Sequence, residues 1–187
     1  ACRATSAAQV LQKARNESFF DTKSVSQLTS ISAPVVPSTD AAITPSAVTR
    51  DAALLEEVVR EAGQLAFGLF RTELKSWIKG KSSPVSEADI AVNDLIETRL
   101  RSATPGYGWL SEESADDTSR IGKSLTWIVD PIDGTRAYLE RREDWSVSIA
   151  LVANGSPVLG AVFAPASDEF FFAVRGCGAT LNGAPMA

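Results

Sequence analysis

The sequence predicts a layered α/β sandwich of the α+β kind, with two helices first and an antiparallel-rich sheet after them. Three observations carry this. "DAALLEEVVREAGQLAFGLFR" and "SEADIAVNDLIETRL" repeat apolar residues at helical spacing. Four later runs, "SLTWIVD", "DWSVSIALV", "SPVLGAVFA" and "EFFFAVRG", have the length and composition of strands. Turn chemistry separates the last three: Asn154-Gly155, then "PASD". Helices and a sheet with apolar faces bury them by stacking in layers.

Taken in order, residues 1–50 read as a low-complexity arm or linker. A short helix is expected around "AAQVLQKARNESFF"; from Ser24 to Arg50 the chain is rich in Ser, Thr, Ala and Pro, which buries little and favours disorder. The folded part spans 51–187. Thr49 or Asp51 caps the first helix, whose apolar face is Leu54, Leu55, Val58, Val59, Ala62, Leu65, Ala66 and Leu69. A polar loop leads to the second helix, with Ser86 as N-cap and Asp89 three residues on, a capping-box spacing. "YGWLSEES" is a short strand ending in acids. No internal repeat is seen.

Composition narrows the function. The 187 residues are 44% hydrophobic, enough for one domain with a sizeable core. Eighteen basic against 23 acidic residues leave a net charge of −5, which argues against nucleic acid or an anionic membrane as main partner. No run approaches the ~20 apolar residues of a membrane span, and no signal peptide is expected. With two cysteines, a reducing compartment and a cytoplasmic location are expected. The chain has no histidine, so histidine bases and histidine metal ligands are both excluded. A metal here needs oxygen donors, which points to a hard cation such as Mg²⁺. Gly80-Lys81-Ser82 and Gly122-Lys123-Ser124 lack the earlier glycine of a P-loop, and "GCGATL" has Leu181 where a dinucleotide fingerprint needs glycine. The only methionine is Met186, so the chain reads as a piece of a longer one.

The chemistry concentrates in "WIVDPIDGT", Trp127 to Thr135. Two carboxylates at a strand exit repel each other by roughly 4 kcal/mol at about 4 Å and an effective dielectric near 20. A plain turn explains Asp, Pro and Gly here, with Pro131 forcing Asp130 into an extended conformation. The alternative is that Asp130, the Ile132 carbonyl and Asp133 face one cation, with the Gly134 and Thr135 amides presented to a phosphate. Glu112-Glu113 is a solvated acidic loop or a metal ligand pair. Asp89 is a helix cap or part of the same site.

The stretches "SEAD", "SEES", "WIVDPIDGT", "WSVSIALV" and "GCGATLNG" together resemble the inositol monophosphatase superfamily over roughly Asp51 to Met186. The resemblance implies an inositol monophosphatase-like α/β sandwich and a Mg²⁺-dependent, lithium-sensitive phosphomonoesterase. By match, Glu112, Asp130, the Ile132 carbonyl and Asp133 are the metal ligands, and Glu113 stands behind them. Asp89 and Thr135 form the pair that orients and deprotonates the attacking water. The Gly134 and Thr135 amides hold the phosphate, and Glu112, Ile132 and Asp133 also border the substrate. A homodimer is among the expectations for the full-length protein.

The family supplies a further metal-ligand aspartate, in a Trp-Asp motif, from a C-terminal half that this sequence does not contain. By this resemblance the chain is expected to correspond to the N-terminal half, with Phe170, Phe172 and Val174 lacking part of their packing. After Asp-Gly-Thr, inositol phosphatases tend to show Thr-Asn-Phe, whereas this chain has Arg136-Ala137-Tyr138-Leu139. A basic residue there is similar to the 3′(2′),5′-bisphosphate nucleotidase branch; the alternative reading is an inositol-1-monophosphatase. The reading from another class is a half-domain that binds metal without turnover.

Overall fold

The computed structural model describes residues 44–80, 83–116 and 118–186. The short helix expected near the N-terminus lies outside them. Helix α1 runs Pro45–Leu69. It starts earlier than the sequence reading placed it: Thr44 is the N-cap, with its hydroxyl oxygen accepting from the Ala47 amide, and proline occupies the first helical position, where no N–H is needed. Residues 45–50 are therefore helical rather than part of an arm. Neither Thr49 nor Asp51 caps anything; Asp51 lies inside the helix and is wholly buried.

A hairpin follows, β1 (Ser76–Lys79) with β2 (Ser83–Ser86), where only a polar loop was expected. All four β1 residues are exposed, so no apolar alternation marked it as a strand. Helix α2 (Glu87–Ala103) begins at Ser86 as expected. The sheet contains β3 (Gly108–Ser111), β4 (Leu125–Asp133), β5 (Ser146–Ala153), β6 (Ser156–Ala164), β7 (Glu169–Val174), β8 (Gly178–Leu181) and β9 (Ala184–Pro185). A five-residue helix α3 (Thr135–Leu139) lies between β4 and β5. The strands stand in sequence order; β3 and β4 are parallel, and every later neighbour is antiparallel.

One face of this sheet carries the helices. Leu55, Val58, Val59, Ala62 and Ala66 of α1, with Val92, Ile96 and Leu100 of α2, close on Trp127, Val129, Ile149, Leu151, Leu159 and Ala161. At Gly63 a Cβ would stand 2.2 Å from a Phe163 ring carbon, so α1 lies against β6 at a distance only glycine permits. Phe170 belongs to this core, contrary to the expectation that it would be short of packing. It is 2% exposed, stacks on Phe172 and carries the Arg60 guanidinium 3.9 Å above its ring. Phe172 and Val174 are half-buried against the same cluster. The opposite face has a smaller cluster of Val162, Phe171 and Ala173, flanked by Ala179, Leu181 and Met186. No described helix is long and apolar enough to cross a membrane.

Candidate active site

The register of β4 against β5 explains how two acids three residues apart come together. Asp130 pairs with Ser148 and Asp133 with Ser146, so three steps on β4 match two on β5. In an unbroken strand, residues i and i+3 point to opposite faces. The bulge changes that parity. Ser146 and Ser148 share a face, and their partners Asp130 and Asp133 share it too. Val129, one residue before Asp130, faces the helix-covered core. The acids therefore stand on the other face. Pro131 sits inside the bulge, where its missing N–H breaks no ladder bond.

The parallel pair sets the level of Glu112. Ser111 is level with Val129, and the Glu112 amide continues the ladder by donating to the Val129 carbonyl at 3.1 Å. Glu112 thus follows β3 at the level where Asp130 follows Val129. Its neighbour Glu113 is turned inward, its side chain 6% exposed. Burial pushes the Glu113 carboxyl upward; the Lys79 ammonium opposes this, and the nearby Asp89 and Glu112 charges add to it. Lys79 comes from β1, 3.3 Å from Glu113 Oε2, and also donates to the Glu112 carbonyl. The sequence reading missed Lys79 because nothing marked the exposed hairpin that delivers it.

Asp89 and Thr135 are brought into contact. Asp89 is 1% exposed at the first turn of α2. Its Oδ2 accepts from the Ser86 amide at 2.8 Å and the Ser86 hydroxyl at 2.6 Å. Its Oδ1 accepts from Thr135 Oγ1 at 2.9 Å, and Thr135 Oγ1 also lies 3.0 Å from the Ile132 carbonyl. The cap and the site residue are therefore one carboxylate with a separate oxygen for each task. Gly134, at the start of α3, has φ +95°, and a Cβ there would stand 2.8 Å from the Asp144 carbonyl. Only glycine fits this turn. Arg136 is exposed in the first turn of α3.

Among the described residues, no three Asp, Glu or Cys side chains stand close enough to form a closed metal cage. The donor chemistry still suits a hard cation, since Glu112, Asp130, Asp133 and the Ile132 carbonyl offer only oxygen. Mg²⁺ typically takes one or two carboxylates and completes its octahedron with water and substrate phosphate, so an open set of this kind fits it.

These features belong to a known class. The model of the inositol monophosphatase family matches residues 48–187, and the chain is a member of that family. It is 36% identical over 140 residues to a histidinol-phosphatase of Chlorobaculum parvum, covering 74% of this chain and 53% of the relative. It is 39% identical over 99 residues to the 3′(2′),5′-bisphosphate nucleotidase CysQ of Escherichia coli K12, covering 52% and 40%. The crystal structure of the extragenic suppressor protein suhB from Bartonella henselae superposes with a TM-score of 0.67 at 32% identity, covering 71% of this chain and 52% of that one. The chain thus spans about half the length of these relatives.

Proposed function

We propose that the protein is part of a Mg²⁺-dependent phosphomonoesterase acting on a small phosphorylated metabolite, with a 3′(2′),5′-bisphosphate nucleotide as substrate. The observation that carries this reading is the Thr135–Asp89 hydrogen bond, beside two aspartates that a bulge turns onto one face. Thr135 gives its own proton toward Asp89, which leaves an Oγ1 lone pair able to accept from a water. That water is held in one orientation and loses its proton through Thr135 to Asp89 as its oxygen bonds phosphorus. The bond from phosphorus to the alcohol oxygen breaks, and the departing alkoxide takes its proton from solvent water.

Glu112, Asp130, Asp133 and the Ile132 carbonyl would hold the cation, which when bound shields phosphate charge and lowers the pKa of water. The Gly134 and Thr135 amides, at the start of α3, bind a phosphate oxygen. Lys79 steadies the Glu112–Glu113 loop from the hairpin. Arg136, next to Thr135, favours a substrate with a second anionic group, and the likeness to the bisphosphate nucleotidase supports the same choice.

The test is phosphate release by the full-length protein, with and without Mg²⁺, from adenosine 3′,5′-bisphosphate, inositol-1-phosphate and histidinol phosphate. Mg²⁺-dependent turnover highest on the bisphosphate is expected. Preference for inositol-1-phosphate or histidinol phosphate would replace the substrate and keep the mechanism. Metal binding without release from any of them would leave a non-catalytic metal-binding protein.

A further inference from the structure

Glu112, read as a metal ligand, leaves β3 within the four-residue stretch Ser111 to Ser114, and both ends of that stretch meet one side chain from another element. Asn93 lies one helical turn after Asp89 on α2, so the two share a face of the helix. It is 4% exposed, though a buried carboxamide costs stability unless its donors and acceptor are used. Its Oδ1 accepts from Ser111 Oγ at 2.6 Å, and its Nδ2 donates to Ser114 Oγ at 3.3 Å. Ser111 Oγ in turn accepts from the Glu113 amide at 3.2 Å, and Ser114 Oγ accepts from Trp109 Nε1 at 3.3 Å. Glu112 and Glu113 are the two residues between the clamped serines.

We infer that Asn93 is a positioning residue for the cation site, clamping the Ser111–Ser114 loop so that Glu112 is held beside Asp130. This rests on the reading of Glu112 as a metal ligand. The carboxamide suits the task because it has an acceptor at one end and a donor at the other, matching two serines. Helix α2 thereby governs both halves of the site, through Asp89 for the water and through Asn93 for the ligand loop. A residue that acts behind a metal ligand commonly changes metal affinity by 10–100-fold when altered.

The experiment titrates the full-length protein with Mn²⁺, as a spectroscopic stand-in for Mg²⁺, following free aqua-Mn²⁺ by electron paramagnetic resonance. Asn93→Leu should weaken binding about tenfold or more. Asn93→Asp, whose two oxygens accept from both serine hydroxyls, should restore it to within about threefold of wild type. Where Asn93→Leu does not fold, Ser114→Ala removes one end of the clamp and should still weaken binding measurably. Glu112→Gln runs in parallel and should weaken binding at least as much as Asn93→Leu. Wild-type affinity in folded Asn93→Leu or Ser114→Ala, with Glu112→Gln impaired, overturns the clamp alone. Wild-type affinity in Glu112→Gln as well overturns the reading of the site and the inference with it.

Discussion

Thr135 Oγ1 donates to Asp89 Oδ1 at 2.9 Å, while Asp89 Oδ2 accepts from the backbone and side chain of Ser86. The carboxylate that starts α2 is thus bonded to the first residue of α3. A local device for starting a helix and a contact 46 residues long in sequence depend on one buried group.

For Asp89→Asn the two roles predict two losses. An amide has a single acceptor oxygen for three donors, so one of Ser86 or Thr135 is left poorly paired in a buried place. We expect about 1–2 kcal/mol of lost stability, seen as a melting temperature several degrees lower. Phosphate release should fall strongly in the same variant. A wild-type rate would reduce Asp89 to a cap.

Thr135→Ser keeps the hydroxyl and should retain most turnover. Thr135→Val keeps the shape, removes the donor to Asp89 and should lower kcat by at least about a hundredfold, which is roughly 2.7 kcal/mol in the transition state. Equal rates in the two variants would show that the hydroxyl does no chemistry.

Asp130→Asn leaves the bulge and its proline in place but removes one negative charge from the face it shares with Asp133. Turnover should be nearly abolished with the circular dichroism spectrum unchanged. A kcat within about tenfold of wild type, under ~1.4 kcal/mol, is incompatible with a metal-ligand role.

Gly134→Ala places a Cβ 2.8 Å from the Asp144 carbonyl at a φ of +95°. The left-handed penalty alone is about 1–2 kcal/mol, and the neighbouring atom is backbone with little room to give. Urea unfolding should therefore register a loss of about 2 kcal/mol or more. An unchanged midpoint would mean the turn has another accessible conformation.

Stability should also fall in strong alkali through Tyr107. Its hydroxyl donates to the buried Asp51 at 2.7 Å, and burial first, then Asp51, pushes its pKa up to about 12. A pKa raised by folding contributes stability that is intact below the unfolded value near 10 and is lost as the pH rises toward 12. Tyr107→Phe should be less stable at neutral pH and show a flatter decline across that window. A wild-type slope in the variant would assign the alkaline loss to other groups.

The helices and main strands were legible in the sequence because each rests on local pattern. Apolar spacing marked the faces of α1 and α2, Ser86 with Asp89 marked a helix start, and Asn154-Gly155 marked a hairpin. The cluster "WIVDPIDGT" was equally plain as chemistry. The early start of α1 was hidden by a Ser-, Thr- and Pro-rich stretch in which Thr44-Pro45 is a cap followed by a first-turn proline. The β1–β2 hairpin was hidden because its first strand buries nothing.

What the residues by themselves determined is therefore the two long helices, the main strands and the identity of the oxygen donors. Only the tertiary structure decided which of them meet. Asp130 and Asp133 share a face because pairing with β5 puts a bulge between them, and no local rule sets that register. Asp51 is a buried partner of Tyr107 rather than a cap because a loop 56 residues away packs onto α1. Asn93 reads as one polar residue in a helix until Ser111 and Ser114 arrive on either side of Glu112. Spacing along the chain sets periodicity, whereas contact across it follows from how the layers pack, which is where the candidate site is assembled.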